Sequence, residues 1–166
     1  MQDFTSPIAP SRNSARPVRR SGGAHVGGRW QGEGMAVTFL QPDGLVRSPA
    51  FSHVAVVPPG SATVYLGGQN GVDETGALVS PEVGPQAAQA LENAKVALAA
   101  AGATLDDVVQ WFVLIDTGAD LGAAYGAIGP QLARDGAPPL VTGSRVAGLG
   151  VPGALIEISA IAALPG

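Results

Sequence analysis

Between Pro81 and Ala101 the residues Val83, Ala87, Ala90, Leu91, Ala94, Leu98 and Ala101 recur at helical spacing, and Gly102 stands where a left-handed residue would end the helix. A helix with one apolar stripe has to lay that stripe on something. The next segment, "VVQWFVLI" at Val108 to Ile115, is a nearly continuous apolar run, the pattern of a strand covered on both faces. These two neighbours constrain the chain to pack helix on sheet.

The flanking segments complete that layer. "MAVTFLQ" from Met35 alternates like a strand, and "HVAVV" and "TVYLGG" are expected to form a β-hairpin turned by Pro58, Pro59 and Gly60. A turn is expected at Asp73 to Gly76, and a weaker second helix around Asp120 to Arg134, interrupted by Gly122, Gly126, Gly129 and Pro130. "LVTGSRVA" and "ALIEISAIAAL" read as two further strands, separated by a turn at Val151 to Gly153. The order ββ-α-β-α-ββ predicts an α+β fold, a mixed sheet with two helices packed on one face. Its other face is expected to meet copies of the same chain.

With 166 residues, 46% of them hydrophobic, the chain suits one domain, expected over residues 35–166. Residues 1–34 are rich in Ser, Pro, Gly and Arg, lack apolar periodicity and are expected to be a disordered basic tail. The five arginines of that tail outnumber its two acids by three, so the rest must carry seven net negative charges to reach −4 overall. A domain that acidic argues against a nucleic-acid partner. The sequence contains no cysteine, which excludes disulfides and thiolate chemistry and fits a reducing compartment. Cytoplasmic localisation is expected, with no membrane partner, because no apolar run approaches the roughly 20 residues of a span.

Most signatures of catalysis are missing. The glycines of "GGAHVGG" and "GAAYGAIG" match neither phosphate-loop pattern, and there is no G-x-S-x-G elbow to make Ser52 beside His53 a nucleophile and base. His25 and His53 have no second ligand at metal spacing, so neither a metal nor a cofactor is expected.

More specific is the ordered combination "TVYLGGQNGVDETG", "LENAKVALAAAGATLDDVVQWFVLI" and "ALIEISAIA". From about Phe51 to Leu164 it resembles the RidA (YjgF) family. The resemblance implies a chorismate-mutase-like subunit that assembles as a homotrimer with small-molecule clefts between neighbouring subunits. Its best-described members hydrolyse reactive enamines and imines, such as 2-aminoacrylate, to ketoacids and ammonia; a ribonuclease activity has also been attributed to the family. A 2-imino acid carries a carboxylate, for which a bidentate guanidinium is the natural anchor. In the deaminating members an arginine lies on the penultimate strand, in a pattern like P-A-R-S-C-V-E-V-A. Aligning "VAGL" with the end of that pattern puts Val141 at the arginine and Gly143 at the cysteine.

By the same resemblance Phe51 replaces a cleft tyrosine, Gly67 a serine and Ala119 an asparagine, while Gly68, Gln69 and Glu157 are kept. Glu157 matches a glutamate that handles the catalytic water in the family, a role a carboxylate can fill; otherwise it is a solvated strand residue beside Leu155 and Ser159. Strand alternation turns Arg145 the same way as Val141, about 13 Å further along at about 3.3 Å per residue. Arg145 is therefore either a relocated cation or an exposed or interface arginine. Trp111 and Phe112 read as core, Asp106 and Asp107 as solvated, and Tyr125 as packing or rim. The expected function is a deaminase-related binding cleft that has lost its anchor. The alternatives are a divergent hydrolase using Glu157 with bound water, and a scaffold without a ligand.

Overall fold

The computed structural model describes residues 36–166; the expected tail over residues 1–34 and Met35 lie outside the described residues. Six strands and two helices follow one another as β1 (Thr38–Leu40), β2 (Val54–Val56), β3 (Ala62–Asn70), α1 (Val83–Ala100), β4 (Val108–Asp116), α2 (Leu121–Leu132), β5 (Leu140–Val146) and β6 (Ile156–Leu164). The main sheet has the order β3-β6-β4-β5. β6 runs antiparallel to both neighbours and β4 runs parallel to β5. The sheet is mixed, as expected from the alternation of helices and strands.

Helix α1 forms where the apolar spacing requires it. Val83, Ala87, Ala90, Leu91, Ala94 and Leu98 are buried, and α1 packs on β3, β6 and α2. Its end is a glycine-dependent cap: Gly102, at φ 76°, donates to Ala99 O and Ala103 donates to Leu98 O, both at 2.9 Å. Gln86, fully buried, donates to Ser80 O and Gly153 O and accepts from Leu155 N at 2.7 Å, which pins α1 to the turn before β6. Helix α2 starts on Asp120, whose carboxylate accepts from Gly122 N and Ala123 N. Pro130 lies inside α2, near its end. It supplies no N–H to the helix there.

Strand β6 displays the sheet's two faces. Ile156, Ile158, Ala160 and Ala162 are buried under the helices, while Leu155, Glu157, Ser159 and Ile161 are half-buried on the other face. β4 alternates in step, with Trp111, Val113 and Ile115 buried and Phe112 and Leu114 half-buried. Within the chain β4 is covered by the helices on one face, and its other face is open. Phe112 belongs to the open face rather than to the core.

The hairpin expectation is also corrected. β2 pairs antiparallel with β1, and β3 pairs with β6. Pro58 and Pro59 have no N–H to donate to a ladder, and they leave β2 only three residues long.

Candidate functional site

The expected site residues divide between the two faces of the sheet. On β5, Val141, Gly143 and Arg145 stand in register with Trp111, Val113 and Ile115, the buried residues of β4. They therefore lie on the helix-covered face. Glu157 is in register with Leu114 and lies on the open face.

Near Val141 the segment before β2 folds over the start of β5. Ser52 N donates to Pro139 O at 3.1 Å, and Phe51 meets the His53 ring edge-on with centroids 5.5 Å apart. His53 itself is held by Val46 O at 2.6 Å. Together with the C-terminal half of α2, this segment encloses a cavity of about 480 Å³ lined by Phe51, Trp111, Tyr125, Leu132, Pro139 and Val141, among others. Trp111 is core, as expected, and is also a wall of the cavity. Arg134 reaches the lining, but its guanidinium donates to Ala137 O, Asp106 O and Val108 O and stacks on the Phe39 ring at 4.6 Å. Burial pulls its pKa down and the charge of Asp106 pushes it back.

Tyr125, expected as packing or rim, packs partly buried against the core and lines the cavity; its meeting with Gly143 is what the sequence did not show. A Cβ on residue 143 would lie 2.9 Å from the Tyr125 hydroxyl, so the phenol occupies space that Gly143 leaves open. Burial raises the pKa of that hydroxyl, and it has no hydrogen-bond partner among the described residues. The available signal was the small residue at 143 and a tyrosine on the helix that crosses above it.

Arg145 turns away from the cavity to clasp the β4–α2 loop, donating to Thr117 O at 2.6 Å and to Ala119 O at 2.8 Å. Ala119 is buried within that loop. Arg145 and Ala119 therefore meet each other and not Val141.

The second group gathers at a bulge in β3. Leu66 pairs with Ala160 and Gln69 with Ile158, so Gly67 and Gly68 together oppose the single residue Ser159. Gly68 presses against Glu157: a Cβ there would fall 2.6 Å from the carboxylate carbon. Gly67 opens to free space. Beyond the bulge Gln69 turns to a shallow groove beside α1 with Val72 and Asn93, and its amide donates to Gly67 O at 3.2 Å. Gly67, Gly68 and Glu157 form one patch, and Gln69 stands on the other side of the sheet.

Among the described residues no group of three or more His, Asp or Glu side chains could hold a metal, and no helix is long and apolar enough to cross a membrane.

A family model described as Endoribonuclease L-PSP matches residues 46–164. No curated protein matches the chain. Among solved structures, YyfB of Yersinia pestis, a Rid-family protein of unknown function, is 30% identical with a TM-score of 0.66, the match covering 77% of this chain and 98% of that one. RidA of an Antarctic Psychrobacter species is 28% identical with a TM-score of 0.54, over 70% of this chain and 96% of that one. Escherichia coli TdcF, solved with bound serine, is 27% identical with a TM-score of 0.55, over 71% and 96%.

Proposed function

The chain belongs to the Endoribonuclease L-PSP family, the RidA/YjgF group, and on that premise we propose that it is a small-molecule-binding trimer whose clefts lie between subunits and that it does not hydrolyse small 2-imino acids. The observation that carries the loss of imine hydrolysis is Val141, which stands on the wall of a cavity within the chain where the resemblance calls for a carboxylate-binding arginine.

The cations elsewhere on the domain do not replace that arginine. Among the described residues Arg47 is paired with Asp43, Lys95 with Glu92, and Arg134 and Arg145 are engaged by backbone carbonyls. TdcF holds serine, an amino acid whose carboxylate calls for a cationic partner. This chain offers an apolar wall instead. Assembly is supported by the open face of the sheet, which leaves Phe112, Leu114 and Ile161 half-covered and Tyr65 77% exposed. A domain with seven net negative charges disfavours ribonuclease activity, and a cysteine-free chain fits the cytoplasm.

An alternative is hydrolysis by Glu157 with a bound water, a role that a half-buried carboxylate can fill. Release of ketoacid and ammonia from freshly generated 2-iminopropionate separates the two. We expect the protein to match a buffer blank; turnover that Glu157→Gln abolishes would establish the hydrolase instead.

A further inference from the structure

We propose that the cavity between Phe51, α2 and β5 binds a neutral molecule with an apolar body and a single hydrogen-bond acceptor, and that the Tyr125 hydroxyl is the donor that recognises it. This rests on the anchorless cleft proposed above and names its ligand class.

At about 480 Å³ the cavity falls within the range of small-molecule sites, roughly 300–1,000 Å³. Its walls are mostly carbon: Phe51, Trp111, Leu132, Pro139 and Val141 present rings and aliphatic groups. Such walls favour an apolar body and penalise an unpaired charge. Arg134 is the cation on the lining, and it is not available. Three of its contacts go to backbone carbonyls, its face covers Phe39, and its Nη2 is buried without a partner among the described residues. With the remaining guanidinium nitrogen, Nη2, sealed from solvent, a carboxylate entering the cavity would lose its hydration without direct contact with the guanidinium.

The phenol of Tyr125 is placed differently. It is half-buried, stands over Gly143 and makes no hydrogen bond among the described residues. A stiff side chain with two torsions holds the hydroxyl in place at little entropic cost, so it serves as a preformed donor. Gly143 is required for this, because an added Cβ would crowd the phenol oxygen out of position. Tyr125, with its oxygen in the space that Gly143 leaves open, thus supplies a neutral polar group on a wall that is mostly carbon. A carbonyl or ether oxygen on a ring-sized body matches both features.

Three probes of one ring size test this on the full chain by ligand-observed NMR titration: toluene with no acceptor, acetophenone with a neutral one, and benzoate with an anionic one. Acetophenone should bind up to about tenfold more tightly than toluene, the range a net hydrogen bond supplies, and benzoate should bind most weakly. Tyr125→Phe, which keeps the ring, should reduce acetophenone to the level of toluene while leaving toluene unchanged, and Gly143→Ala should do the same by displacing the phenol. Equal binding of toluene and acetophenone, or no effect of Tyr125→Phe on their ratio, overturns the role of Tyr125 and leaves the anchorless cleft standing. Benzoate binding most tightly overturns both. Failure of all three to bind overturns this ligand class, and the imine assay then judges the anchorless cleft separately.

Discussion

Val141 and Glu157 face opposite sides of one sheet: Val141 stands in register with Trp111 under the helices, and Glu157 with Leu114 on the open face. A single chain cannot bring the two to one small ligand, because the sheet itself lies between them. If both contribute to a cleft, the second residue comes from a neighbouring copy, and the open face is the surface through which that copy is recruited.

Assembly should therefore fail when the open face is charged. Phe112→Asp puts a carboxylate among Phe112's half-buried neighbours on that face and leaves the helix-covered core intact. Sedimentation should change from a trimer to a monomer while helical content stays the same. A variant with the mass of the parent assembly would show that this face is not the interface.

At the bulge, Gly68→Ala should cost about 1–3 kcal/mol in urea unfolding, the usual penalty of over-packing. Its Cβ has no room beside the Glu157 side chain. Adding Glu157→Ala should recover most of the loss, since the two positions share one contact. Equal losses with and without Glu157 would mean that the glycine serves the backbone rather than this contact.

The hydroxyl of Tyr125 sets a pH dependence at the alkaline end. Burial raises its pKa in the folded chain above the ordinary value of 10.0. The unfolded chain therefore loses this proton first, so the stabilising contribution is intact below pH 10 and declines as pH rises from there through the folded value. Thermal unfolding should show a loss of stability above about pH 10 that Tyr125→Phe reduces. A Tyr125→Phe profile identical to the parent would contradict the partial burial of this phenol.

Much of this fold is legible in the sequence because local spacing encodes it. The stripe of α1, its end at Gly102 and the alternation of β6 are set by residues a few positions apart; the structure buries the stripe from Val83 to Leu98, while Ala101 lies exposed just past the helix. Partner choice is less legible. The three residues of β2 pattern equally well against β1 or β3, and Pro58 and Pro59 decide against the hairpin. The site suffers most from one extra residue. Strict alternation would group Gln69 with Gly67 and turn Gly68 toward the helices, but the bulge puts Gly67 and Gly68 together on the open face and sends Gln69 to the other. Tyr125 was obscured because α2 carries interior Gly and Pro residues, so its facing could not be read from periodicity.

The most direct test of the lost anchor is calorimetric titration of serine into the parent protein and into Val141→Arg. The account predicts no saturable heat for the parent and measurable binding for the variant, whose guanidinium would enter the cavity at the position the resemblance assigns to the arginine. Saturable serine binding by the parent protein would contradict it, because a carboxylate would then have found a cation that Val141 does not supply.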